Sequence, residues 1–250
     1  MAQKFDWNDN EDRFVLYLDI MGFKERVSRQ DTEKLKKDLM SFKTKNKKLK
    51  PLLKSKDNQD LLKMTQFSDS IVVTSPSNTK EDLNRICRAA VILMQTAMET
   101  TFALRGSIAL GSMVFDETNQ LFFGKALVDA YLLEQQLAYY GIVFHESAEK
   151  IILSAMQEKE IHLPIIDEET NLSAMQKKEI YLPIIDEEVP LKNGKSSHFH
   201  IAWYLMDKKL KEGNISDDAI QWLKTLRTTV SGTPRIYLDN TNRTSSTSNK

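Results

Sequence analysis

Phe14-Val-Leu-Tyr-Leu-Asp-Ile-Met-Gly-Phe-Lys24 is a short apolar run that delivers one carboxylate, Asp19, and then stops at a glycine. Side chains alternate between the faces of a strand, so Tyr17 and Asp19 share one face while Leu16, Leu18 and Ile20 turn to the other. Gly22 permits a tight turn and a close approach to the backbone. The residues from Phe23 onward read as a helix start, whose free N–H groups favour a phosphate. A carboxylate suited to a metal, beside N–H groups suited to a phosphate, suggests a nucleotide. The same residues also read as an ordinary buried strand ending in a glycine turn, with Asp19 as a cap.

The chain of 250 residues, 41% of them hydrophobic, is long enough for one large domain with a substantial core. With 35 basic and 35 acidic residues the formal charge is zero, so no global field argues for nucleic acid or for a membrane surface. The single cysteine, Cys87, lies among apolar residues of a predicted helix, which excludes a disulfide framework and favours a reducing compartment. The polar start, Met1 to Arg13, lacks an apolar signal region, and no apolar stretch is long enough to span a bilayer. A soluble cytoplasmic protein is expected.

Between Glu25 and Leu49 the apolar residues Val27, Leu35, Leu39 and Phe42 recur at helical spacing, which predicts one or two surface helices. The lysines from Lys43 to Lys56 read as a solvated face and linker, because no aromatic residues alternate with them as a nucleic-acid stacking surface needs. Met64–Phe67 and Ile71–Thr74 form a predicted hairpin with Asp69 at its bend. Thr79 to Thr101 follows as an amphipathic helix with Thr79 and Asp82 as a capping box. Phe102 to Gly111 reads as a strand ended by a glycine and continued after a turn by Met113–Phe115. Its Arg105 is a candidate anion ligand or one half of an ion pair. A helix beginning after Gly124 and a strand Ile142–Phe144 come next.

Leu153–Glu169 returns almost unchanged as Leu172–Glu188, a duplication with a period of 19 residues. Two copies are too few for a solenoid, so residues 151–197 are expected to be a peripheral insertion. His162 becomes Tyr181 in the second copy, which argues against a necessary catalytic role for that histidine. His198 and His200 share a face of a predicted closing strand without a visible third metal ligand. Residues 198–232 are read as that strand and a last helix, and residues 233–250 as a polar, disordered tail.

The order strand, helices, hairpin, helix, strand predicts an α+β fold with a ferredoxin-like βαββαβ core over residues 13–150, after a short N-terminal segment, 1–12. In that topology the end of the first strand, with Asp19, meets the start of the third, with Asp69. Two carboxylates meeting there are suited to hold one or two divalent ions against a triphosphate.

On these residues the sequence resembles the class III nucleotidyl cyclases. Leu18-Asp-Ile-Met-Gly-Phe23 is similar to that family's metal-binding strand end, Phe67-Ser-Asp-Ser70 to its second metal-aspartate hairpin, and Leu104-Arg-Gly-Ser-Ile-Ala-Leu-Gly111 to its later glycine-ended strand. The resemblance covers about Arg13 to Ser147. It implies that Asp19 and Asp69 ligate two Mn2+ or Mg2+ ions by side chain and Ile20 by its carbonyl, that Gly22 and Phe23 receive the triphosphate, and that sites form between the subunits of a head-to-tail homodimer.

The sequence departs from the family's pattern in two places. Aligning the family's usual Leu-Glu pair on Leu133-Glu134 puts Val128 and Leu132 where an asparagine and an arginine steady the transition state, and Thr65 stands where a charged residue selects a purine. The helix Gly124-Lys-Ala-Leu-Val-Asp-Ala-Tyr-Leu-Leu-Glu134 resembles the compact cyclases of bacterial Pycsar antiphage systems, which make cyclic UMP or cyclic CMP for a separate effector. That resemblance implies a uridylate or cytidylate cyclase; Tyr17, on the Asp19 face, is the candidate base contact, and its neutral phenol, without a charged partner suited to cytosine, favours UTP, while Arg105 first, then Lys24 and Lys125, are candidates for the missing arginine. The alternatives are a cytidylate cyclase, a purine cyclase, a catalytically silent nucleotide-binding module and a polymerase-type palm.

Overall fold

The structure, a computed structural model, describes residues 7–100, 102–157, 184–203, 217–229 and 233–247. The elements are β1 (Glu11–Ile20), α1 (Phe23–Arg29), α2 (Thr32–Lys45), a 3-10 turn (Asn46–Leu49), α3 (Lys50–Leu53), β2 (Lys63–Phe67), β3 (Ser70–Thr74), α4 (Lys80–Glu99), β4 (Leu104–Asp116) and β5 (Leu121–Phe123). They continue with α5 (Lys125–Gln136), β6 (Ile142–Phe144), α6 (Glu146–Gln157), β7 (Ile184–Leu191), β8 (Gly194–Ile201), α7 (Asp217–Thr229) and α8 (Thr233–Thr247).

The sheet order is β2-β3-β1-β4-β6-β8-β7, with β5 attached to β4. Its first four strands with α1, α2 and α4 make the expected βαββαβ core, an α+β fold, and β1 lies antiparallel between β3 and β4. The alternation along β1 decides which layer covers each face. Phe14, Leu16, Leu18 and Ile20 enter the main core with Leu83, Ile86 and Ala90 of α4, whose start is capped by Thr79 accepting from the Asp82 N–H. Val15 and Tyr17 enter a second core with Ala126 and Ala130 of α5. Asp19 is on the α5 side. Gly106 of β4 is held to glycine by close approach, since a Cβ there would lie 2.3 Å from the Tyr17 carbonyl oxygen.

Four expectations are corrected. Gly111 does not end a strand, because β4 runs unbroken to Asp116, pairing with β1 as far as Met113 and with β5 over its last three residues. Residues 151–197 are not wholly peripheral, since they supply the end of α6, the edge strand β7 and the first half of β8. Ile184–Glu188 of the second repeat copy is part of β7, whereas His162 and Tyr181 lie outside the described residues. Val27, expected on a buried face, is exposed. Finally, residues 233–247 form α8, not a disordered tail, with Tyr237, Leu238, Thr241 and Thr244 buried. The lysine-rich stretch is on the surface as expected, with Lys45 and Lys48 both paired to Glu99.

Candidate active site

The end of β1 and the β2–β3 bend are joined by backbone. The Ile20 N–H donates to the Asp69 carbonyl at 2.9 Å, and Asp19 lies opposite Ser70 in the ladder. Ser68 takes a left-handed conformation, φ 56°, which turns the bend so that Asp69 follows immediately on the sheet edge. Gly22, φ 72°, then breaks the chain out of β1 into α1, and no heavy atom lies within 4 Å of where its Cβ would be. The space on the Cβ side of Gly22 is therefore unfilled, while Phe23 packs against the main core.

Asp19 is partly buried. Burial, then the negative charges of Glu134 and Asp69, push its carboxyl up to about 6, against the opposing pull of Arg105 and Lys192. A carboxylate pushed up by neighbouring negative charge is relieved by a cation, and carboxylate oxygens are the donor chemistry of Mg2+ and Mn2+. No cluster of three or more His, Cys, Asp or Glu side chains is placed to hold a metal among the described residues. The pair fits ions whose remaining ligands are water and substrate phosphate, the usual habit of Mg2+. His198 and His200 share a face of β8; His200 is buried and its imidazole is pushed down to about 4 by burial.

The raised value for Asp19 has a stability consequence. Between about pH 4 and 6 the folded, metal-free protein binds this proton more than the unfolded chain, so the group's contribution is full below about 4 and is lost as pH rises through 6. Asp19→Asn is expected to raise the melting temperature of metal-free protein at pH 7.5 by about 2–4 °C, about 1 kcal/mol after allowance for partial exposure, and to give little gain at pH 4.5. Calorimetry at the two pH values checks this. Equal gains at both would mean that Asp19 carries no charge penalty.

Three other expected site residues are placed differently. Arg105 sits across the β1–β4 ladder from Asp19 but is buried, with Nε donating to Glu134 Oε1 at 2.5 Å and Nη1 to the Leu137 carbonyl at 2.8 Å. Of its two readings, the ion pair is the one observed. Tyr17 is 9% exposed, edge-on to Tyr131, with its phenol 2.7 Å from Ser70 Oγ, so it belongs to the core under α5 rather than to an open base pocket. Lys125 is paired with Asp129 at the far end of α5 from Glu134, about 14 Å along the helix. Lys24 is exposed on α1. Thr65 lies in the same ladder row as Tyr17, with Val72 between them, about 10 Å away across two strands.

Two residues that sequence reasoning left without a role act on this site. Glu134 is fully buried, its carboxyl pushed up by burial against the pull of Arg105. Its signal was present in the sequence, since Ala126, Ala130 and Glu134 fall at four-residue steps on the face of α5 that meets the sheet. Lys192, exposed on the β7–β8 turn, adds positive charge near Asp19 and Glu134 from 173 residues along the chain; nothing local marks it.

No protein-family model matches the sequence, and no curated protein matches it. Among solved structures, the chain is similar to the catalytic core of a rhodopsin-guanylyl cyclase with converted specificity, in complex with ATPαS, at 13% identity and a TM-score of 0.48. That match covers 77% of this chain and 95% of the other. It is also similar to a class III adenylyl cyclase-like ATP-binding protein from Pseudomonas aeruginosa, at 14% identity and a TM-score of 0.41, over 56% of this chain and 34% of that one. No helix among the described residues is long and apolar enough to cross a membrane.

Proposed function

We propose that the protein is a nucleotidyl cyclase that converts UTP to 3′,5′-cyclic UMP and pyrophosphate. The observation that carries this reading is the junction of two carboxylates, Asp19 at the end of β1 and Asp69 at the hairpin bend, beside an open glycine turn. Asp19, Asp69 and the Ile20 carbonyl would hold two divalent ions, which when bound lower the pKa of the attacking hydroxyl and neutralise phosphate charge. The ribose 3′-hydroxyl loses its proton to water, its oxygen forms a bond to the α-phosphorus of its own nucleotide, and the bond to the bridging oxygen of pyrophosphate breaks. Gly22 and Phe23 admit the polyphosphate to the backbone, and Lys24 and Lys192 supply the mobile positive charge that Arg105 does not. The pyrimidine preference rests on the resemblance to Pycsar cyclases and on Thr65, a neutral residue where purine cyclases carry a charge, and uridine is preferred to cytidine because neither Tyr17 nor Thr65 offers a charged partner suited to cytosine. A second messenger for antiphage defence, read by a separate effector, follows from the same resemblance.

A second copy of the chain suits the surface beside this site. Phe67 is 85% exposed next to Asp69, and Leu121, Phe123, Val128, Tyr131 and Leu132 are exposed on β5 and α5. Large apolar side chains gathered on neighbouring elements mark an interface. Phe123→Asp with Val128→Asp is expected to give a monomer by analytical ultracentrifugation and to lower activity at least tenfold. A double variant that sediments and reacts like the wild type would sink the dimer.

The deciding experiment incubates the protein with each of the four ribonucleoside triphosphates and manganese and identifies products by mass. Cyclic UMP is expected. Cyclic CMP, cyclic AMP or cyclic GMP would overturn the base assignment while keeping the reaction. Nucleotide binding without pyrophosphate release would favour a silent nucleotide-binding module.

A further inference from the structure

Arg105 and Asp19 are direct cross-strand partners, so their side chains leave the sheet on the same face, under α5. The Arg105 guanidinium is held on every side. Nε and Nη2 both reach Glu134 Oε1 at 2.5 Å, Nη1 reaches the Leu137 carbonyl at 2.8 Å, and the Tyr237 ring of α8 lies 5.4 Å from its carbon. Glu134 is fixed in turn by Gln135, whose Nε2 donates to Oε2 at 2.8 Å. Moving Arg105 toward a phosphate would leave Glu134 ionised, fully buried and unpaired, which is strongly unfavourable.

The geometry points to a different role. We propose that Arg105, locked by Glu134 and faced by Tyr237, is the positioning residue for Asp19. It bolts the end of α5 to the sheet at the strand position opposite the carboxylate, so that the carboxylate is held in place for its metal. The proposal rests on the reading of Asp19 as a metal ligand. The Leu137–Gly141 connection that receives Arg105 is itself tied down, by the Gly106 N–H to the Gly141 carbonyl and by the Asn240 amide of α8 to the Ala138 carbonyl. The bolt therefore runs from α8 through Arg105 and Glu134 to the end of β1.

The test is Mn2+ binding to the full-length, metal-free protein without nucleotide, followed by calorimetry or by the paramagnetic signal of free manganese, with circular dichroism to establish folding. If Arg105 positions Asp19, Arg105→Gln and Glu134→Gln both weaken Mn2+ about tenfold or more, and Arg105→Lys loses less than Arg105→Gln. If the pair acts only as nearby charges, the two glutamine variants move in opposite directions. Arg105→Gln then tightens binding by removing a positive charge, and Glu134→Gln weakens it. Opposite signs, or unchanged affinity in folded variants, overturn the proposal. Should either buried variant fail to fold, Tyr237→Leu keeps an apolar cover over Arg105 and removes only the ring; a few-fold weaker Mn2+ is expected, and an unchanged affinity overturns the proposal. A wild type that binds no Mn2+, or binds it as well after Asp19→Asn, overturns the metal reading itself and this proposal with it.

Discussion

Replacing Asp19 or Asp69 by alanine is expected to reduce cyclic nucleotide formation on the order of a thousandfold or more, about 4 kcal/mol of barrier, with every triphosphate tested. The two positions reach that result by different physical routes. Asp69 is half-buried at a hairpin bend whose strands are held by β2–β3 pairing, so its loss leaves the fold intact and removes a ligand together with one of the two negative charges that push Asp19 up. Asp19 lies deeper and is crowded by Glu134 and Asp69, so Asp19→Ala removes a ligand and also relieves that crowding. The activity loss in that variant therefore accompanies a metal-free protein at least as stable as the wild type at neutral pH. Because the two carboxylates would act on one pair of ions, the double variant is expected to lose little more than either single one, a non-additivity that independent contributions would not produce. Product mass after incubation with manganese, on variants with wild-type circular dichroism, is the measurement. Either single variant keeping a tenth of the wild-type activity would remove its aspartate from the mechanism.

The core of this argument was legible because it is local. The period-two pattern of β1 already separates Leu16, Leu18 and Ile20 from Tyr17 and Asp19, and the two cores of the protein divide along that line. The junction of Asp19 with Asp69 needed only topology: once the hairpin and the helices are in order, β1 must lie beside β3. The failures have a common origin in distance along the chain. Arg105 in a strand reads equally well as an anion ligand or as half of an ion pair, and only Glu134, 29 residues later on a helix laid over the same strands, decides between them. Tyr17 was correctly placed on the Asp19 face, but that face is roofed by α5: Tyr131 packs edge-on against its ring and Ser70 takes the phenol hydroxyl that a base would have needed. The start of β7 was hidden because it lies within the repeated segment, where self-similarity suggested a dispensable insertion.

Ending the chain at Ser231 is expected to destabilise the protein by about 4–6 kcal/mol, a large part of the 5–15 kcal/mol that holds a typical domain. On composition alone the segment beyond has little apolar content, which is why it reads as a tail, and deleting a tail changes nothing. In the structure it is α8, and its few apolar residues are placed where they count. Tyr237 and Leu238 are buried in the main core, worth about 1.5–3 kcal/mol each against exposure. Asn240 donates to the Ala138 carbonyl, and Thr241 Oγ1 accepts from the Tyr140 N–H at 2.8 Å, so truncation would leave a buried backbone N–H without that partner. The Tyr140 phenol also donates to the Pro234 carbonyl at 3.1 Å. The chemical denaturation midpoint of the truncated chain should fall sharply, and the less drastic Tyr237→Ala with Leu238→Ala should recover most of that fall. A truncated chain with the wild-type midpoint would show that α8 does not hold the Leu137–Gly141 connection, and the support it gives to Arg105 from that side would then have to come from α5 and the sheet alone.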